Sequence, residues 1–485
     1  MSPPPLRLRR SPSRGRRQRP GRASSAAAAG FGLALPAAEY TLPVTGDRAL
    51  ARGWLWLALA ALIGSGLFSV LLVLARTPGI NAWLPAGDFF RTALVVHVDL
   101  SVLVWFVSIS ALLWTLNGRA TSQTLWGPLA LALCALGTAM MAAAPFLPGA
   151  GAPVMANYIP LLDGALFRAG LVTFGAGALI LTLLTMASAP KVGAAALGES
   201  ALRFGLNASA VAAAVALLAF AASLALTPRH LPDKAYYELL FWGGGHALQF
   251  VWTLLMLVGW LVLAQACGAR VPLPPRVVLL LFALALASVF VTPVAYLAHD
   301  ITTVEHRNLH TWAMRFGGGV AILPPALAVL VAMASSRTLA PAQRPLRAAL
   351  LASMLLFAAG GLIGLTIGGA NVKIPAHYHG CIVGVTLALM GLVFHLLPRL
   401  GYAAPQGRLA VLQPWLYGIG QLLHITGLVW SGGYGVQRKV AGAEQVLRST
   451  GEVAGMALMG LGGLLAIAGG LLFVIVVLKA MRRAR

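Results

Sequence analysis

The sequence predicts an all-α integral membrane protein with twelve transmembrane helices, and three observations carry that reading. Hydrophobic residues make up 59% of the 485 positions and charged residues only 10%, a balance outside the range of soluble domains. Twelve apolar runs follow one another along the chain, each about twenty residues and so long enough to cross a hydrocarbon layer of roughly 30 Å. After residue 50 no stretch reads as a soluble domain, a long linker or a low-complexity segment.

The runs fall at 53–75, 92–116, 124–147, 165–187, 206–227, 238–266, 276–298, 311–336, 347–369, 378–398, 411–431 and 454–480. An even number places both termini on one side. The Arg-rich head (Arg7, Arg9, Arg10, Arg14, Arg16, Arg17, Arg19, Arg22) and the tail (Lys479, Arg482, Arg483, Arg485) mark that side as cytoplasmic by the positive-inside rule, in an inner (plasma) membrane. Lys and Arg in the loops are nearly balanced and do not decide the matter. Eight of the 35 Lys and Arg residues behind the formal charge of +23 lie in the head, among Pro and Ser, so residues 1–50 read as a basic disordered tail at a lipid surface and not as a nucleic-acid-binding region. The head lacks the apolar core of a signal peptide. Cys134, Cys267 and Cys381 are scattered with no Cys-x-x-Cys spacing, which leaves disulfides, thiolate metal sites and covalently attached heme unsupported. All chemistry must therefore be built between helices of the 51–485 region.

The richest stretch runs from Lys373 to Arg399, where His377 and His379 open the tenth span. Residues two apart on a helix project about 200° from each other, so this helix offers one ligand to each of two sites. A pair of hemes suits that arrangement, since each heme also needs an apolar slot beside its ligand; the plainer reading is a pair of interfacial histidines that bind nothing. Three further histidines share their depth: His97 near the outer end of the second span, His246 a couple of turns into the sixth, and His299 at the outer end of the seventh. The sixth span carries Gly243-Gly244-Gly245 directly before His246, where missing side chains let something bulky approach the backbone. The seventh ends in Tyr296-Leu297-Ala298-His299-Asp300, with two adjacent candidate metal ligands.

These four motifs, in order and spacing, resemble subunit I of the heme-copper oxidase superfamily, which includes cytochrome c oxidases and nitric oxide reductases. The resemblance covers about residues 50 to 480. It implies a heme-copper oxidase subunit I-like bundle acting as a catalytic domain, with His97 and His379 as axial ligands of a low-spin heme and His377 as the ligand of a high-spin heme. The resemblance implies a non-heme metal, iron or copper, bound by His246 and His299; Asp300, next to His299, is read from the residues as a further ligand, and Tyr296 stands on the helix where one branch carries its tyrosine. Arg438 and Lys439 match the family's basic pair at the heme propionates. Asn157-Tyr158-Ile159-Pro160 looks more like the divergent branches than the mitochondrial type.

The departures bear on the substrate. Asp300 stands where the oxidases have a second histidine, Phe250 stands where many carry their redox-active tyrosine, and Ala247, Leu248 and Gln249 supply none of the glutamates of the familiar nitric oxide reductases. A carboxylate ligand makes the metal site harder and favours iron. The reading is a respiratory terminal reductase that passes electrons between hemes to a diatomic gas, nitric oxide slightly ahead of oxygen. A non-catalytic heme-binding electron-transfer or sensor protein is the rival, separated by metal content; a transporter would show internal repeats. With no copper-binding Cys/His/Met cluster and no heme c attachment motif, an electron-donating partner subunit, cytochrome c or cupredoxin is implied.

Ser288, Thr292, Tyr296 and Asp300 recur every four residues as one stripe, readable as helix-to-helix hydrogen bonding or as a proton path. Asp99 is expected to pair with Arg91. His395 and His424 are expected to be structural, and His306 and His310 to lie in the outer loop. The inner halves of the spans offer no carboxylate, so proton pumping is unsupported.

Overall fold

The computed structural model describes residue 1 and residues 39–81, 87–119, 125–193, 195, 197–335 and 339–483; the Arg-rich head lies outside the described residues. Twelve long helices follow the order the apolar runs predict: α1 Arg48–Arg76, α2 Phe89–Asn117, α3 Trp126–Phe146, α4 Ala165–Ser188, α5 Gly198–Leu226, α6 Asp233–Ala266, α7 Pro275–Ala298, α8 Val304–Ser335, α9 Pro341–Gly364, α10 Lys373–Leu400, α11 Arg408–Gly433 and α12 Thr450–Arg482. Among the described residues, eleven are both long and apolar enough to span a membrane. The remaining one, α11, has 26 residues, but Gln413, Pro414, Trp415, Tyr417, Gln421 and His424 dilute its apolar character. Gln413 and His424 are buried within the bundle.

Consecutive helices pack as pairs, α3 with α4, α5 with α6, α9 with α10 and α11 with α12, while α1 touches both α2 and α12. Two helices are interior. In α6 and α10, 83% of the apolar window is buried, against 28% in α7. These two carry His246, His377 and His379, so the fold places the candidate ligands at its centre.

Local signals set the ends. Asp47 caps α1, accepting from the backbone N–H of Ala49 (2.7 Å) and Leu50 (3.1 Å), and Ser449 with Glu452 forms a capping box on α12. Before α1 the chain already packs on the bundle: Tyr40 donates to the Leu273 carbonyl (2.5 Å) and Arg399 to the Leu42 carbonyl (3.0 Å). At the opposite end, the loop after α3 forms a two-stranded hairpin, β1 Pro153–Val154 and β2 Leu161–Leu162. The loop between α11 and α12 folds over that end, with Val372 N–H on the Val436 carbonyl (3.0 Å) and Arg91 paired to Glu444 (2.6 Å).

Three expectations change. Helix α7 is broken at Phe290, between Pro275–Val289 and Val291–Ala298, because Pro293 cannot supply a backbone donor. The Ser288-to-Asp300 stripe is therefore interrupted, and Ser288 turns back on the Leu284 carbonyl (3.1 Å). Helix α8 begins at Val304 and not at 311, capped by Thr303, which accepts from His306 N–H (3.3 Å), so His306 and His310 lie on a helix and not in a loop. Asp99 does not meet Arg91. It is buried with both oxygens unpartnered, and it opens a π-helical segment, Asp99–Val104. A second π segment, Ala313–Gly318, follows His310. Such segments insert a residue into the helical register and are frequent at functional sites.

Candidate functional site

Seven histidines on these helices collect in the half of the bundle beneath the β-hairpin, and most share one tautomer. A backbone carbonyl carries no proton, so a ring nitrogen bonded to one must be the N–H donor. His97 Nδ1 donates to the Ser65 carbonyl (3.0 Å), His246 Nδ1 to Trp242 (2.8 Å), His306 Nδ1 to Ala295 (3.3 Å) and His310 Nδ1 to His306 (2.8 Å). His377 Nδ1 donates to Gly360 (2.8 Å) and His424 Nδ1 to Met459 (3.0 Å). Each of these six rings thereby carries its proton on Nδ1 and a lone pair on Nε2, the tautomer in which an imidazole ligates a metal; at His246 that lone pair accepts from the Tyr158 hydroxyl.

The rings form two groups. In the first, the His246 and His310 centroids are 5.7 Å apart and those of His310 and His306 4.8 Å apart. His306 and His310 are each 1% exposed, and the Nε2 atoms of both are buried without a partner. Two orphaned lone pairs beside a third imidazole fit a metal ion, since buried nitrogens left unpaired cost about 1–3 kcal/mol each. Among the described residues no group of three or more His, Cys, Asp or Glu side chains is placed to hold a metal ion; the ring centroids of this group are 4.8–5.7 Å apart.

Two tyrosines flank this group. Tyr158, from the loop after the hairpin's first strand, brings its hydroxyl 3.0 Å from His246 Nε2 and its ring centroid 4.9 Å from that of His246. Burial raises the Tyr158 phenol well above the usual tyrosine range, with Tyr378 and Glu238 adding to the shift, so it stays protonated and donates to His246. Tyr296 packs edge-on to His306, centroids 4.7 Å apart, and its hydroxyl pairs with that of Ser223 on α5 (2.6 Å). The polar connection from Tyr296 thus runs sideways to α5 and not along α7.

The triple glycine acquires a different meaning. A Cβ at Gly243 would meet the Tyr296 hydroxyl at 2.3 Å, one at Gly244 the Phe220 ring at 2.3 Å, and one at Gly245 the Tyr158 ring at 2.3 Å. It is aromatic rings of this chain that approach α6 there, two of them the tyrosines of the site.

Asp300 and His299 lie beside His306, both within electrostatic reach of its ring. Asp300 is fully exposed and its Oδ1 accepts from Thr302 N–H (2.9 Å) and hydroxyl (2.6 Å); these bonds hold its carboxyl below the ordinary aspartate value. His299 is half-buried at the end of α7. Where the sequence pointed to that adjacent pair beside His246, the structure brings up His306 and His310, one helical turn apart on α8.

The second group is His97, His379 and His424. The rings of His379 and His424 are 4.8 Å apart, and His97 and Arg76 lie within electrostatic reach of both. His424, taken from sequence as structural, therefore joins this group. His377, on the other face of α10, sits in a cradle where a Cβ at Gly364 would meet its Nδ1 at 2.8 Å. The carbonyl-anchored His97 and His377 fit heme ligation through Nε2.

Arg438 and Lys439 close the layer from above. Lys439 Nζ donates to the Met155 carbonyl (2.7 Å) and to Asn157 Oδ1 (3.4 Å), and Arg438 donates to the same Asn157 oxygen (3.5 Å). Asn157 in turn donates its N–H to Glu238 (3.1 Å) and its amide to the other oxygen of Glu238. Sequence reasoning passed over Glu238, eight residues before His246. Burial lowers Lys439 to about 8, with the Arg438 charge contributing.

An all-helical membrane bundle that gathers its histidines at one depth, around its two most buried helices, has the architecture of the large subunit of terminal oxidases. The chain belongs to that family: the family described as cytochrome c and quinol oxidase polypeptide I matches residues 49–471, as the resemblance built on His97, His246, His299 and the Lys373–Arg399 stretch implied. The chain is 29% identical over 505 residues to an uncharacterized protein of Rickettsia prowazekii (strain Madrid E), covering 90% of this chain and 96% of that protein. It is 28% identical over 359 residues to an uncharacterized protein of Aquifex aeolicus (strain VF5), covering 73% and 86%. Its fold is similar to that of a heme-copper terminal oxidase dimer solved by cryo-electron microscopy, with a TM-score of 0.68, 18% identity, and coverage of 90% of this chain and 84% of that one.

Proposed function

We propose that this chain is the catalytic subunit of a terminal oxidase that reduces oxygen to water. His97 and His379 would hold a low-spin heme, His377 a high-spin heme, and His246, His306 and His310 a copper ion facing it. When bound, these groups supply the electron transfer and the oxygen chemistry.

The observation that carries the reading is the Tyr158 hydroxyl 3.0 Å from His246 Nε2. Four-electron cleavage of oxygen draws on a tyrosine beside the metal. Position 250 is Phe, but Tyr158 brings a phenol to the same histidine from a different segment, and Tyr296 brings a second to His306. Preference for nitric oxide rested on Asp300 as a hard third ligand. That carboxylate is exposed and engaged by Thr302, whereas three imidazoles suit copper in both its oxidation states.

The chain's own groups have defined tasks. The carbonyls of Trp242, Ala295 and His306 hold three Nδ1 protons and aim the Nε2 lone pairs. Tyr158 offers a proton at its hydroxyl, which would turn from His246 Nε2 when that lone pair goes to the metal, and the Tyr296 hydroxyl is held by Ser223. The Lys439–Asn157–Glu238 connection ties Tyr158's loop to α6 and puts basic groups where heme carboxylates would lie. Electrons would come from a partner subunit, cytochrome c or cupredoxin, on the face bearing the hairpin, which the positive-inside rule sets outside.

Turnover with oxygen and with nitric oxide on one purified preparation tests the proposal. Oxygen consumption with no nitrous oxide is expected, and Tyr158→Phe should lower it by ~100-fold, within the range of lost acid–base groups, with copper retained. Nitrous oxide formation with iron in place of copper would overturn it. Two hemes with no stoichiometric second metal would support a non-catalytic electron carrier instead.

A further inference from the structure

Of the seven helical histidines in the layer, six rest Nδ1 on a backbone carbonyl. His379 is the exception. No hydrogen bond to its ring forms among the described residues, and its ring neighbour is His424, at 4.8 Å between centroids and 60° between planes. An N–H···N pair between two imidazoles, with nitrogens about 2.9 Å apart, separates the centroids by about 5 Å. The two rings are therefore at hydrogen-bonding separation, needing a turn of the His379 ring about its side-chain torsions to aim Nδ1 at His424.

The polarity of such a bond is set. Because His424 Nδ1–H is committed to the Met459 carbonyl (3.0 Å), its Nε2 holds a lone pair and acts as acceptor. His379, ligating through Nε2, would carry its proton on Nδ1 and act as donor. His424 is held in place by the close approach of α11 and α12: a Cβ at Gly462 would meet His424 N at 2.3 Å, and one at Gly463 would meet His424 Nδ1 at 3.2 Å.

We propose that His424 is a positioning residue that accepts the Nδ1–H of His379 and so fixes the orientation and raises the basicity of that heme ligand. The inference rests on the assignment of His97 and His379 to the low-spin heme. A more basic imidazole stabilises the ferric over the ferrous state and lowers the reduction potential. The low-spin heme is thereby poised to pass its electron onward.

The test is potentiometric titration and electron paramagnetic resonance of the low-spin heme in the purified full chain, comparing wild type with His424→Leu and His424→Gln. His424→Leu should keep the low-spin spectrum and shift the midpoint positive by about tenfold in the oxidised-to-reduced equilibrium, ~59 mV for one electron. His424→Gln, whose amide both accepts from His379 and donates to Met459, should stay near wild type. An unchanged midpoint in His424→Leu, with the low-spin signal abolished in His97→Ala and His379→Ala, would overturn this inference alone; survival of that signal in the latter two would overturn the ligand assignment beneath it. Loss of the low-spin spectrum in His424→Leu but not in His379→Leu would make His424 the ligand and refute the positioning role. Should the variants fail to assemble, the resonance of the oxidised wild type decides: the strengthened ligand field of a strongly hydrogen-bonded imidazole is expected, and that of two ordinary neutral imidazoles would refute the proposal.

Discussion

His306 and His310 show how a pair of buried histidines escapes a reading of apolar runs. Their surroundings, Val304-Glu305-His306-Arg307-Asn308-Leu309-His310, are polar, so a search for apolar runs starts α8 after them. Two signals were present: Thr303 as a cap three residues before His306, and histidines spaced four apart, which face one side of a helix. His246 and His379 were legible because each stands inside an apolar run, where an ionisable side chain calls for a reason, and His377 because it stands two residues before His379 at the entry of the same run. Lys439 makes a separate prediction. It has a φ of 64°, a left-handed conformation costing about 1–2 kcal/mol for a residue with a Cβ, and it holds that shape while bonded to Met155 and Asn157. Burial disfavours its ammonium form and lowers it to about 8. The fold thus carries the cost of a buried ammonium below that pH, and this cost is relieved as pH rises from there toward the ordinary lysine value of about 10.4. Amine-specific acylation followed by mass spectrometry should give a midpoint near pH 8 at Lys439; a midpoint near that of an ordinary lysine would contradict the buried placement.

At the scale of elements, twelve apolar runs translated into twelve helices because helix length and hydrophobicity are both fixed by the bilayer. The irregular parts were harder to read. Pro293 announces the break in α7, but the two π segments and the passage of Tyr158 onto α6 depend on packing between distant segments. The glycine triplet is the instructive case, since close approach was legible and the approaching group was not. Gly245→Ala should force a methyl into the Tyr158 ring, where the contact would be 2.3 Å. Overpacking of this kind costs about 1–3 kcal/mol, so a lower thermal midpoint is expected together with reduced turnover as Tyr158 is pushed from His246. Unchanged stability and turnover would mean that the loop carrying Tyr158 is not seated against α6.

On the scale of the whole molecule, α6 and α10 are the most buried spans, so the candidate ligands they carry stand in the driest part of the bundle. His377 and His379 leave α10 on different faces, His377 against Gly360 and Gly364 of α9 and His379 against His424 of α11. Their independence is a prediction: His97→Ala and His379→Ala should each abolish the low-spin heme spectrum while some high-spin heme remains, read by optical difference spectra of purified protein. Loss of both hemes together in either variant would show that the groups do not assemble separately. The copper-to-heme ratio of the purified wild type beside His306→Ala and Asp300→Asn tests the proposed copper site directly. One copper per two hemes in wild type and Asp300→Asn, with copper lost and both hemes kept in His306→Ala, is the predicted result. Copper retained in His306→Ala but lost in Asp300→Asn would contradict it.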